Sequence, residues 1–211
     1  LDLALGSDLA LEAEYLRPVV GSPWFVAPRI GFRHRTQPLS IDGDLVARYQ
    51  TQRAQAGGDL GGTLGATSEL RIGYDIGVLD SRVQVGAPAL PRLQGREQVA
   101  RVRWVYDGHD DWIVPRRGTR VVTEARWLVE APEHAGDLRQ ATLDGATFIP
   151  AGAAGRVFIA VSGATSFGDA PSPFYQFTLG GPFRLGAFDQ DEFRGPHTAY
   201  LAAGYLRRSG R

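Results

Sequence analysis

The sequence predicts an all-β, antiparallel, up-and-down fold, and three observations predict it. Short runs alternate apolar and polar residues at a period of two, the side-chain period of an extended strand. The 27 glycines among 211 residues are nearly twice the usual share, and they fall between or beside those runs. No window keeps a 3.6-residue apolar period with a cap at each end, as a helix requires.

Strands are expected near 1–5, 9–17, 25–35, 45–56, 59–65, 68–80, 97–106, 119–130, 138–149, 156–163, 174–179 and 197–207. That is about twelve neighbours joined mostly by short turns, the order of a meander. In "FVAPRIGFRHR", Val26, Ile30 and Phe32 oppose Arg29, Arg33 and Arg35. In "SELRIGYDIGV", Leu70, Ile72, Tyr74, Ile76 and Val78 oppose Glu69, Arg71 and Asp75. In "QVARVRWVY", Ala100, Val102, Trp104 and Tyr106 oppose Arg101 and Arg103. In "TRVVTEARWLVE", Val121, Ala125, Trp127 and Val129 oppose Arg120, Glu124 and Arg126. The charged faces carry both signs, so neighbouring strands can pair them across the ladder. Between strands, "GAPALPRLQGRE" (86–97) and "APEHAGD" (131–137) are expected to be loops, and "GGDLGGTLGATS" (57–68) a flexible hairpin.

Many runs reach about nine to twelve residues, the length of a tilted membrane strand, whereas strands in soluble sheets average about five or six. Aromatics sit near the ends of several runs, as in an interfacial girdle: Trp24 and Phe25, Tyr106 and Trp112, Phe174 and Tyr175. On periodicity alone a membrane barrel and a soluble sandwich or ligand-binding barrel remain equal alternatives.

Formal charge is zero, and nothing points to a nucleic-acid partner. All 23 basic residues are arginine, and asparagine, methionine and cysteine are absent. Without cysteine there are no disulfides, thiolate metal sites or cysteine nucleophiles. No stretch has the roughly 18 to 20 apolar residues of a membrane helix, which leaves barrels open as a way to cross a membrane. The chain opens mid-pattern at "LDLALG", so it is expected to be one domain, 1–211, cut from a longer protein.

Chemistry is thinly represented. No serine sits in a Gly-x-Ser-x-Gly frame, so "DGA" at Asp144–Ala146 is expected to be a turn or strand kink rather than half of a hydrolase pair. "DGHDD" (107–111) gathers Asp107, His109, Asp110 and Asp111 but matches no ligand-loop spacing, and a solvated connection is expected. His34, His134 and His197 are scattered, so no metal and no cofactor is expected.

The strongest signal is "FYQFTLGGPFRLGAFDQDEFRGPHTAYLAAGYLRR" (174–208). It has Phe177, Leu179, Gly180 and Gly181, then Arg184, Leu185, Gly186 and Phe188, then Phe193, Arg194 and Gly195. This resembles the bacterial surface-antigen superfamily of outer-membrane assembly-factor barrels, in which a loop after a Phe-x-Leu-Gly-Gly strand folds back into the lumen. The resemblance implies an incomplete segment of a 16-stranded, transmembrane up-and-down β-barrel in a bacterial outer membrane. It also implies that those residues form the lumen-loop motif.

Within the superfamily the closest likeness is to the barrel downstream of a patatin-like phospholipase domain. Assembly factors place arginine just before the loop glycine, and Gly186 and Ala187 stand in those two places here. The resemblance thus implies an anchoring or translocation module without catalytic residues. Its partners would be outer-membrane lipid and an attached N-terminal patatin-like domain, a serine lipid acyl hydrolase, with a homo-oligomer compatible. The alternative in the same superfamily is an autonomous assembly or secretion barrel. Under either reading Leu70, Ile72, Tyr74, Ile76 and Val78 face lipid and Glu69, Arg71 and Asp75 a polar lumen, and a one-residue slip would put those charges into hydrocarbon at about 2–4 kcal/mol for a mid-bilayer arginine.

Overall fold

Alternation at a period of two becomes a single antiparallel meander in the structure, a computed structural model that describes residues 2–4, 8–41, 44–86, 90, 92–132, 138–152, 154–168, 171–181, 185–187 and 191–207. The strands are β1 (Asp2–Ala4), β2 (Asp8–Glu14), β3 (Arg17–Pro18), β4 (Trp24–Ile41), β5 (Asp44–Leu64), β6 (Ser68–Val85) and β7 (Leu93–Asp107). They continue as β8 (Gly118–Glu130), β9 (Leu138–Ala151), β10 (Gly155–Phe167), β11 (Phe177–Leu179), β12 (Phe193–Gly195) and β13 (His197–Arg207). The main sheet runs β1-β2-β4-β5-β6-β7-β8-β9-β10-β13, with β3 against β4. β11 and β12 form a separate ribbon inside the β10–β13 connection.

Register sorts the side chains onto two faces. Val26, Leu60, Ile72 and Val102 are successive partners across β4 to β7 and share the outward face. Apolar side chains there stand open, with Ile72 59%, Ile76 56% and Leu201 70% exposed. Acids on the inward face are covered instead, Asp59 at 5%, Asp75 at 7% and Glu97 at 6%. This inverts the pattern of a water-soluble sheet and matches a barrel with an apolar outside and a polar inside. The inward face is not wholly polar. Near one end Leu79, Leu93, Val99, Leu128, Ala131 and Leu138 gather under Tyr175 as a small apolar cluster.

Several boundaries differ from the sequence expectation. The strands expected at 45–56 and 59–65 are one 21-residue strand, β5, and the hairpin expected at 57–68 is mostly strand. Ladder partners on both sides, Arg29 and Asp75 for Gly57, hold the glycines extended. Only Gly65, at φ 74°, makes a turn. β7 begins at Leu93 rather than 97, because Leu93, Gly95 and Glu97 continue the hairpin opposite Ser81, Leu79 and Gly77. The strand expected at 174–179 shrinks to Phe177–Leu179. β4 and β6, at 18 residues each, outrun the expected nine to twelve.

Candidate functional site

Charged residues on the inward face find partners mainly one strand further away than expected. Arg29 on β4 donates to Asp75 on β6 (Nε–Oδ1 2.8 Å), and the residue between them in the register is Gly57 on β5. Arg101 on β7 donates to Asp59 on β5 (Nη2–Oδ1 2.7 Å) across Gly73 on β6. The Arg71 guanidinium lies 5.1 Å from the Phe25 ring centroid, with Gly61 between them. Strands spaced about 4.8 Å apart put these partners about 10 Å apart at the backbone, a reach that arginine spans when nothing stands in between.

Glycine is what leaves that space. A Cβ on Gly57 would run into the Asp75 carboxylate, one on Gly73 into the Asp59 carboxylate, and one on Gly61 into the Phe25 ring. Arg53 reaches Glu97 in the same skipping fashion (2.7 Å), whereas Arg33–Glu12 (2.8 Å) and Arg120–Asp107 (3.3 Å) do join neighbouring strands as the sequence suggested. Arg71 adds bonds to Glu69 (2.5 Å) and Glu14 (3.0 Å), tying β2 to β6. A cavity of about 90 Å³ opens within this network, bordered by Arg29, Arg53, Asp75, Glu97, Arg101 and Arg126. Such a wall of compensated charge suits a wetted interior; among the described residues it holds no nucleophile paired with a base.

The β10–β13 connection lies against this face. Tyr175 is 7% exposed among the apolar cluster, its hydroxyl donates to Glu97 at 3.0 Å, and its carbonyl accepts from Gln140 Nε2 at 2.7 Å. Phe174 meets the Tyr49 ring edge-on at 4.9 Å. Both aromatics are therefore interior anchors, a correction to the girdle expected from their place at a strand end. Phe25 likewise points inward at 5% exposed, while Trp24 is 52% and Trp112 88% exposed. Further along, Asp191, at φ 62°, is bonded by Arg35 of β4 and accepts from Thr178 Oγ1 at 2.6 Å. Arg194 reaches the Pro38 carbonyl of β4 at 2.9 Å and the Pro173 carbonyl at 3.1 Å. The connection thus crosses from the β10–β13 side of the sheet to β4.

Most of the expected loop-motif residues come together. Phe177 pairs with Gly195 and Leu179 with Phe193, with Thr178 and Arg194 between. Gly180 and Gly181 have φ 137° and 98°, a turn only glycine makes without strain, and Gly181 bridges to Leu185, beside Gly186. Arg184 and Phe188 lie outside the described residues. Asp191, Gln140 and Glu97 were missed by sequence reasoning and Tyr175 was given another role, since nothing local marks a side chain whose partner is dozens of residues away.

The other motifs do structural work. Asp110 accepts the backbone N–H groups of Arg116 (2.9 Å) and Arg117 (3.1 Å), and Asp111 those of Ile113 (2.8 Å) and Val114 (3.0 Å). Those bonds hold both carboxyl groups below the usual aspartate range. Among the described residues no group of three or more His, Asp or Glu could hold a metal ion. Asp144 stands inside β9, paired with Val122 and Ser162, so "DGA" is neither turn nor kink. No helix among the described residues is long and apolar enough to cross a membrane, which says nothing of crossing by strands.

No family model and no curated protein matches the chain. Among solved structures it is similar to BamA from Haemophilus ducreyi lacking POTRA domains 1–3, with a TM-score of 0.69 and 16% identity. The match covers 88% of this chain and 38% of that one. The likeness is one of fold: an antiparallel up-and-down sheet of the outer-membrane barrel type, whose described strands run in order from β1 to β13.

Proposed function

We propose that this chain is part of the membrane-spanning barrel of a bacterial outer-membrane protein of the assembly and translocation kind, and that residues 1–211 form one domain of a longer chain. The supporting observation is the inversion of the two faces. Open isoleucine, leucine and valine on the outside suit acyl chains, and the compensated Arg/Asp/Glu wall suits a wetted lumen. The connection held by Tyr175, Asp191 and Arg194 is the element that would narrow that lumen, with Leu179, Gly180, Gly181, Leu185, Gly186, Phe193 and Gly195 shaping its turn. Fractionation of cells producing the full-length protein tests the reading. Recovery with the outer membrane and resistance to carbonate extraction are expected; recovery in the soluble fraction without detergent overturns it.

A second reading is favoured by the order Arg184-Leu185-Gly186-Ala187-Phe188 followed by Phe193-Arg194-Gly195-Pro196-His197. In it the barrel anchors and helps expose an attached patatin-like lipid acyl hydrolase and performs no chemistry itself. The residues that precede Leu1 separate the two. A Gly-x-Ser-x-Gly domain supports the anchor, and repeated small α/β modules support an autonomous assembly barrel.

A further inference from the structure

At one end of β5–β7 the outward face changes from apolar to cationic. Arg48 and Arg82 leave this face from β5 and β6, Arg96 from β7, and Arg92 just precedes β7. Two acids stand beside them on this face: Asp80, engaged by Arg92 through two bonds of 2.9 Å, and Glu130 of β8, which accepts from Gln98. Among the described residues Arg82 bonds the neutral Gln50 oxygen, at 3.0 Å, and no carboxylate. In the register Asp80 faces Gln94, so Arg92 and Arg96 are its two diagonal neighbours, about 7–8 Å away at Cα. Arg82, two residues along β6, joins Arg92 and Arg96 around Asp80, while Arg48 lies further off along β5; guanidiniums crowded this way repel one another unless an anion joins them.

Beside this patch the same face is grooved. Two adjoining shallow grooves, of about 520 and 430 Å³, run across β4–β7. Ala54 and Ala56 make a low floor, Phe32, Ile76 and Val78 form the walls, and Arg96 borders both grooves. The walls are continuous with the open apolar belt, so the occupant that fits has a hydrocarbon chain for the groove and an anionic head for the arginines.

We propose that this is a binding site for a membrane lipid with a phosphate headgroup: one acyl chain lies over Ala54 and Ala56, and the phosphate sits at Arg96, which borders both grooves. Arg82 and Arg92, beyond Asp80, and Arg48 add to the local positive field. The inference rests on the membrane reading above and adds a lipid preference to it. A free phosphate ion would use the arginines but not the grooves, and a neutral-headed lipid the grooves but not the arginines.

The test is native mass spectrometry of the full-length protein in a neutral detergent, with dioleoyl phosphatidylglycerol or dioleoyl phosphatidylcholine added. Selective retention of phosphatidylglycerol is expected. Arg82→Gln with Arg96→Gln should weaken it about 30-fold, the effect of removing two arginines near an anionic surface. Ala54→Leu, which fills the groove without touching charge, should weaken both lipids, and it keeps the test open should the arginine variant lose its heat-modifiable gel shift. Equal retention of the two lipids, indifference to these variants, or displacement of the lipid by equimolar inorganic phosphate overturns the proposal. Failure to enter phosphatidylcholine vesicles at all would instead overturn the membrane reading.

Discussion

Replacing Gly73 by alanine puts a methyl group where the Asp59 carboxylate and the Arg101 guanidinium meet. Asp59's side chain is 1% and Arg101's 11% exposed, so neither can retreat to bulk water. Separating a pair this well covered costs about 3–5 kcal/mol. Alanine's lower chain entropy returns about 0.5–1 kcal/mol. The net loss expected is about 2–4 kcal/mol, read as a lower urea midpoint for the full-length protein in detergent. Gly163→Ala on β10 is the control, because its Cβ would meet nothing closer than the Thr198 carbonyl oxygen at 3.9 Å. In an Asp59→Ala/Arg101→Ala background the Gly73 substitution should cost almost nothing. Equal midpoints for Gly73→Ala and Gly163→Ala, or the same penalty with the ion pair removed, would refute the reasoning.

Two further outcomes are expected. Ile72→Arg, on the open apolar face, should destabilise the protein in a bilayer by about 2–4 kcal/mol; a variant as stable as the parent in bilayer unfolding would speak against lipid on that side. The loop held by Asp110 and Asp111 should loosen in acid. Because folding depresses these carboxyls, their contribution is present above the ordinary value of 3.8 and is lost as pH falls through their lower folded values. The protection of the Ile113, Val114, Arg116 and Arg117 amides, taken as observed exchange relative to the intrinsic rate at each pH, should fall in that range and stay level above it.

Face assignment was legible because a two-residue period is local: Leu70 to Val78 and Ala100 to Tyr106 need only their own order to be sorted. Partner choice was not. Arg29 and Asp75 belong together only because β5 lies between them and carries glycine at that level. From the sequence, Gly57 and Gly61 read as part of a flexible hairpin, although both lie within β5; Gly73 was expected within its strand, but nothing marked the space it leaves. The loop motif showed its turn, Leu179 to Leu185, but not its moorings, since Glu97, Gln140 and Arg35 come from strands β7, β9 and β4. Leu79 and Leu93 share a face with charges, so alternation alone concealed the apolar cluster beneath Tyr175.

The bonds that vault over Gly57, Gly61 and Gly73 also have a mechanical consequence. A ladder joins each strand only to its neighbour and lets a sheet flex at any seam, as a bamboo mat does. A tie from first to third strand stiffens both seams it bridges, so β4 through β7 should bend as a single plate. Among the described residues, the strand-to-strand side-chain bonds of β9 and β10 on the inward face join neighbours, such as Gln140 with Ser166. Whatever opening this sheet undergoes should therefore begin on that side, away from the braced quarter.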